Sequence, residues 1–264
     1  MQLCLTLPSK KEVIVEELLY KDLRKFCLYD NLNIAEIIDY LETFIVTKNL
    51  NVVEKFLSIL LLRQQCVGSS ISISSSKGPI DIEIDYILKN IGDIEDRVKT
   101  VKIGDVEYEL SFPTQFNCGD SDFIFSLIRS VKVDGEKIIL SEVTTEEHAQ
   151  ILNTLPKSLY NDLNSFVSNS EAFFNLELIK SNKNLNIQAV KLSVLSQEFS
   201  HFILRLFYIL SGNDYRQMIF TLCRRMKDIN FLINCTFIEL EDYYKLYKEE
   251  VDQENQSLQK QNLN

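Results

Sequence analysis

The sequence predicts an α+β fold: a predominantly helical body carrying a small antiparallel β-insert over about residues 69–112, with a second hairpin near 131–139. Three observations lead there. Glycine (7) and proline (4) are scarce in 264 residues, too few for the frequent turns of an all-β sandwich. Long blocks place apolar residues at helical spacing. Between Gly68 and Pro113 the apolar period drops from 3.6 to 2, as in half-buried strands.

Glu12–Val15 reads as a short strand, followed by a helix on which Leu18, Leu19, Leu23, Phe26 and Cys27 recur. Asn31 or Asn33 offers a cap for a second helix striped by Ile34, Ile37, Ile38, Leu41, Phe44 and Ile45. Asn51 caps a third, VVEKFLSILLLRQQC, which is apolar around most of its circumference and therefore central to the core. Gly68 supplies its left-handed terminator.

In the insert, Ile71 and Ile73 alternate with serines, and Ile80, Ile82 and Ile84 alternate with Asp81, Glu83 and Asp85. Ser76-Lys77-Gly78-Pro79 provides turn chemistry between them. After a short helical turn, Val101 and Ile103 lead through Gly104-Asp105 to Val106, Tyr108, Leu110 and Phe112. A single sheet of three or four strands is expected. Beyond Pro113 the chain reads as mainly helical, although FIFSLIRSV at 123–131 fits helix or strand. Asp134-Gly135 marks the second hairpin, and Thr144 with Glu147 forms a capping box. Pro156 ends that helix or begins the next. Phe199, Phe202, Ile203, Leu206, Phe207 and Leu210 read as a core helix broken at Gly212, and two further helices follow. The organisation is then an amino-terminal strand with helices (1–68), a β subdomain (69–115), a mainly helical region (116–250), and a polar tail (251–264) expected to fray or be disordered.

Charge narrows the partners. Lys and Arg number 28 against 38 Asp and Glu, a formal charge of −10, which repels phosphate backbones. The densest basic group, Arg224-Arg225 with Lys227, is small and reads as a solvated helix face. Cys4, Cys27, Cys66, Cys118, Cys223 and Cys235 show no C-x-x-C spacing, so reduced thiols in a cytoplasm are expected. MQLCLTLPSKKEV lacks the apolar stretch of a signal peptide. No window holds the ~18 apolar residues that would cross a bilayer.

Signs of catalysis are few. His148 follows the capping box and reads as a first-turn surface residue; His201 sits among aromatics and reads as a core or boundary residue. Neither has a partner at metal-ligand spacing. Asp81, Glu83 and Asp85 would line one strand face, either as a cation or basic-partner site or as the charged wet face of an edge strand. Asp120-Ser121-Asp122 lacks the calcium-loop pattern, and SSISISSS lacks the glycines of a phosphate loop. No catalytic residue, cofactor or metal is therefore assigned, and an enzyme is not expected. One surface feature stands out: Phe237, Leu240, Tyr243, Tyr244 and Tyr247 form a stripe on the last helix, either core or a partner-binding face.

The order of these segments carries a resemblance. The opening LPSKKEVIVEELLYKDL, the apolar helix ending FLSILLLRQQCVG, and the insert IDIEIDYILKNI with VKIGDVEYELSFPT resemble the T-even-type phage baseplate hub assembly proteins over about residues 5–115. The carboxyl half agrees in pattern only, through SEVTTEEHAQILNTLP and FIELEDYYKLYKEEV. Some members of that family carry cysteine pairs in the first hairpin connection. This chain has Ser74-Ser75-Ser76-Lys77-Gly78 there, so no metal is carried over. The resemblance implies a non-enzymatic assembly chaperone for hub components or the tape-measure protein in the host cytoplasm. It equally admits a baseplate hub subunit retained in the virion. An interaction adaptor unrelated to tails is the remaining reading.

Overall fold

The computed structural model describes residues 1–28, 34–75, 78–91, 98–114, 123–169, 175–180, 188–193, 202–203, 206–207 and 212–262. The fold is α+β. Strands β1 (Gln2–Thr6) and β2 (Glu12–Glu16) pair antiparallel, with Cys4 opposite Ile14. Strict alternation turns Val13 and Val15 into the core and Glu12, Ile14 and Glu16 outward. Helices α1 (Tyr20–Leu28) and α2 (Ile34–Glu42) follow. The proposed caps Asn31 and Asn33 lie outside the described residues.

Helix α3 (Val52–Cys66) is the centre of the molecule. Gln65 is its only exposed residue, as its nearly uniform apolar circumference predicts. At its start the Asn51 side chain accepts from Glu54 N–H at 2.9 Å, and Glu54 accepts in return from Asn51 N–H at 2.8 Å. This closes the capping box. The other Glu54 oxygen accepts from Lys11 Nζ at 2.5 Å, so the 2 % exposed carboxylate is fully engaged. At the far end the Val67 and Gly68 N–H groups both donate to the Arg63 carbonyl, and Gly68 takes φ +124°. A side chain would be strained there.

Arg63 itself is 5 % exposed. Its Nε donates to the Leu206 carbonyl at 3.0 Å and its Nη2 to the Ser70 carbonyl at 2.6 Å. Burial pushes the guanidinium down to about 10, partly offset by the charge of Glu83. It is still cationic at neutral pH.

The insert departs from expectation by forming two sheets. Strands β3 (Ser70–Ser75) and β4 (Gly78–Glu83) make an isolated hairpin with Ile71 opposite Ile82 and Ile73 opposite Ile80. The Ser76-Lys77 turn lies outside the described residues. The chain then enters helix α4 (Ile84–Ile91) directly. Ile84 belongs to both periods, ending the 80, 82, 84 alternation and starting the 84, 87, 91 helical stripe. The helix wins because that stripe is buried. Strands β5 (Val98–Ile103), β6 (Val106–Ser111), β7 (Ile128–Val133) and β8 (Glu136–Ile139) form a four-stranded antiparallel meander. The second hairpin is therefore the far half of the sheet that β5–β6 begins. Asp134 (φ +50°) and Gly135 (φ +89°) make its tight turn.

Helix α5 (Phe123–Ser126) is one turn before β7, so the ambiguous 123–131 segment is helix and then strand. The Thr144 box opens α6 (Thr145–Asn153). Pro156 stands at the N-cap of α7 (Lys157–Ser168), so it begins a helix. Phe166 of α7 packs on Phe112 with ring centroids 5.4 Å apart, and Lys99 bonds Asp162 at 2.8 Å, fastening α7 to the meander. An unexpected hairpin follows, β9 (Asn175–Lys180) with β10 (Gln188–Ser193). The reading of 116–250 as mainly helical named no strands here, although Leu176 and Leu178, like Val190 and Leu192, alternate with polar residues. Of the proposed core helix, Phe202, Ile203, Leu206 and Phe207 are helical and buried, while Phe199 and Leu210 lie outside the described residues. Helices α8 (Gly212–Met226), α9 (Ile229–Ile233) and α10 (Phe237–Asn262) complete the chain. One buried cluster runs from Leu5 to Leu240.

Two outcomes follow. Arg63→Met removes a buried charge but leaves the Leu206 and Ser70 carbonyls without their donor, and it should lower stability by about 2 kcal/mol. Urea unfolding should show a lower midpoint at unchanged slope. In the meander, Glu109 accepts from Lys137 at 2.6 Å and faces Arg129 at 3.2 Å. The Lys137 hydrogen bond, opposed by partial burial and aided by both cations, holds its carboxyl below the usual range. A depressed folded-state value stabilises above the unfolded one and is lost as pH falls through the folded one. The stability gap between wild type and Glu109→Gln, less than about 1 kcal/mol for a partly exposed pair, should therefore close below about pH 4.

Candidate functional site at the carboxyl-terminal helices

The last helix is held at its start by the body. Thr236 and Glu239 form a capping box, with Thr236 N–H donating to Glu239 at 2.7 Å and Glu239 N–H to Thr236 Oγ1 at 3.3 Å. Just before it, the Cys235 carbonyl accepts from Tyr20 N–H at 2.8 Å, and Asn234 accepts from Lys21 Nζ at 2.8 Å. Tyr20 O–H donates to the Tyr215 carbonyl at 3.0 Å, and the Tyr215 ring lies 6.2 Å from Phe237. Aromatic packing thus runs from α1 through α8 into α10.

That packing divides the proposed stripe. Phe237 and Leu240 are buried in the core, because α1 and α8 cover the first turn of α10; they cannot form a partner face. Tyr243, Tyr244 and Tyr247 are half-buried, packed against the core edge. Phe231 of α9 meets Tyr243 edge-on at 5.8 Å, and Lys248 Nζ sits 4.6 Å above the Tyr244 ring. The structure instead exposes Leu246 (58 %) and Leu258 (57 %), which the sequence reading passed over. Leu246 lies off the tyrosine stripe, among carboxylates at helical spacing. The hint was a lone leucine on an otherwise charged face.

Farther along, α8 and α10 run side by side in the same direction, with Tyr215 near Phe237 and Arg225 near residues 250–254. Arg225 Nη2 contacts Glu250 at 3.2 Å and Glu254 at 2.8 Å, so the basic group at 224–227 contributes an intramolecular brace. Beyond the end of α8 an open notch of about 560 Å³ is lined by Arg225, Glu250, Gln253, Glu254, Ser257 and Leu258. The polar segment from 251 continues as helix to Asn262, where a frayed tail was expected. Its Glu, Gln and Lys are good helix formers, and the brace anchors it.

The other candidates fall elsewhere. Asp81 and Glu83 are exposed on β4, but Asp85 is in the first turn of α4, where it accepts from Gln64 Nε2 at 2.9 Å. The three acids therefore do not share a strand. His148 is half-buried on the first turn of α6; His201, Cys118 and Asp120-Ser121-Asp122 lie outside the described residues. Cys66 Sγ accepts from Leu18 N–H at 3.3 Å, and burial pushes its thiol up to about 11. Cys4 is exposed and free. Among the described residues, no group of three or more His, Cys, Asp or Glu could hold a metal ion, and no helix is long and apolar enough to cross a membrane. No family model, curated protein or solved structure matches the chain.

Removing the brace should loosen only the end of α10. In Arg225→Ala, hydrogen exchange monitored by mass spectrometry should speed up across 251–262. The exchange of α3 and the global unfolding midpoint should stay unchanged.

Proposed function

We propose that this protein is a non-enzymatic assembly chaperone for baseplate hub components or the tape-measure protein of a T-even-type phage tail, acting in the host cytoplasm. The observation that carries this reading is the last helix. It is fixed to the core at its first turn, braced by Arg225, and presents Leu246 and Leu258 to solvent. A helix held rigid while displaying apolar side chains suits helix-on-helix capture, in which a client lays its own apolar face along the exposed one. Segment order in the amino-terminal half supports the tail assignment. A chaperone of this kind works through buried area, since a client helix left uncovered would aggregate.

Co-expression with each hub component and with the tape-measure protein tests the reading. At least one client should gain solubility and co-purify with the full chain; if none does, the proposal fails. Mass spectrometry of purified virions separates the transient role from a permanent one. Absence from the particle is expected, and stoichiometric presence would make the protein a retained hub subunit.

A further inference from the structure

We infer that the protein self-associates as a two-fold dimer in which α8 of each copy packs on α10 of the other. The inference goes beyond the assembly reading and uses nothing from the tail resemblance. On α8, Arg216, Phe220 and Arg224 follow one another at i, i+4 and i+8 and so share one face. All three are exposed, Phe220 by 63 %, and the Arg224 guanidinium lies over the Phe220 ring, 4.8 Å from its centre. Among the described residues neither arginine has a carboxylate partner, and Asp214 is the only acid between Gly212 and Lys227. The helix dipole favours Arg224 in the last turn. It does not favour Arg216 near the start, nor does it account for an exposed phenylalanine between them.

The complement of this face lies on the same chain. Asp242, Leu246 and Glu250 recur on α10 at the same i, i+4 and i+8 spacing, acid–apolar–acid against cation–apolar–cation. The two faces cannot meet within one molecule, because each helix turns its other side into the core, α8 through Tyr215 and Leu222, α10 through Phe237 and Leu240. Their heights agree as well. Tyr215 lies near Phe237, and Arg225 reaches Glu250 and Glu254. Phe220 is midway between Tyr215 and Arg225, and the turn bearing Leu246 is midway between their partners. A two-fold axis along the helices therefore sets Phe220 of each copy against Leu246 of the other, Arg216 against Asp242, and Arg224 against Glu250. Made twice, the contact closes on itself.

The carboxylates of α10 are engaged within the chain through one oxygen each. Lys245 holds Asp242 Oδ1 at 3.4 Å and Arg225 holds Glu250 Oε2 at 3.2 Å, which leaves the second oxygen to an arginine of the other copy. Exposed ion pairs are weak, so Phe220 and Leu246 supply the hold and the charges choose which helix faces which. Nucleic acid would meet two cations and then a molecule of formal charge −10. A client helix reaching Leu246 would have to displace the second copy.

Sedimentation velocity of the full chain across micromolar concentrations should show a dimer. Arg216→Glu with Arg224→Glu should sediment as a monomer. So should Asp242→Arg with Glu250→Arg, in which Arg225 keeps Glu254. Mixed in equal amounts, these two variants should form a dimer again, because both contacts then set acid against base. Phe220→Ala and Leu246→Ala should each weaken dimerisation at least about tenfold. Circular dichroism should give wild-type helix content throughout, since the altered side chains are exposed.

A monomeric wild type, dimeric charge variants, or a mixture of folded variants that stays monomeric overturns the inference. Where a charge variant fails to fold, the two alanine variants decide, and unchanged dimerisation in both overturns it. The two proposals fail separately. A tail protein co-purifying with a monomeric wild-type chain removes the dimer and leaves the assembly reading. A dimer restored in the mixture, with no tail protein retained, does the reverse.

Discussion

The structure depends on a helix that has almost no outside. With Gln65 the only exposed position on α3, every neighbouring element exists in part to cover it. The β1–β2 hairpin, α4 and Phe202, Ile203, Leu206 and Phe207 all supply apolar surface to the same cluster. Burial at this level stabilises by roughly 1.5–3 kcal/mol for each large aliphatic side chain, but it raises a difficulty at the helix ends. Unpaired N–H and C=O groups there have little water to turn to. The chain meets this with one charge at each end. Glu54 in the first turn closes the capping box and takes a bond from Lys11, and Arg63 in the last turn reaches the carbonyls of Leu206 and Ser70. Each charge also has the sign that the helix dipole favours at its end.

That arrangement explains why a small β-hairpin sits between helical blocks. Ser70 begins β3, and its carbonyl is one of the acceptors that make a buried guanidinium tolerable. The chain must therefore turn sharply at Gly68 and run back past the end of α3 as extended backbone, whose carbonyls point sideways where a helix would keep them for itself. Leu206 supplies the second acceptor from a segment 143 residues away in sequence. The insert and the carboxyl-terminal half are thus tied through one side chain, and removal of either acceptor would leave a buried charge short of partners.

What could be read from the sequence was local. The Asn51 cap, the Thr144 capping box, the Gly68 terminator and the Asp134-Gly135 turn each depend on residues within four positions of one another. The circumference of α3 is likewise a property of a single segment. The partition of the strands was not legible, because pairing is set between segments. β6 ends at Ser111 and β7 begins only at Ile128, and nothing in VKIGDVEYELSF says which further strand will flank it. Ile84 satisfied both periods, so only the burial of Ile87 and Ile91 decides where strand gives way to helix. The candidate site was half legible for the same reason. The stripe on α10 was visible, but which of its members α1 and α8 would cover was not.

The far half of α10 shows how an element can be ordered without a core. From 252 to 258 every residue is exposed, so packing cannot be what holds it in a helix, and isolated helices of that length are marginal in water. Continuity with a nucleated segment removes the nucleation penalty, and helix-forming side chains with the Arg225 contacts supply the remainder. The same features keep the surface available. A helix stabilised by burial would have its apolar side chains consumed internally, whereas one stabilised by propensity and charge can leave a leucine facing solvent.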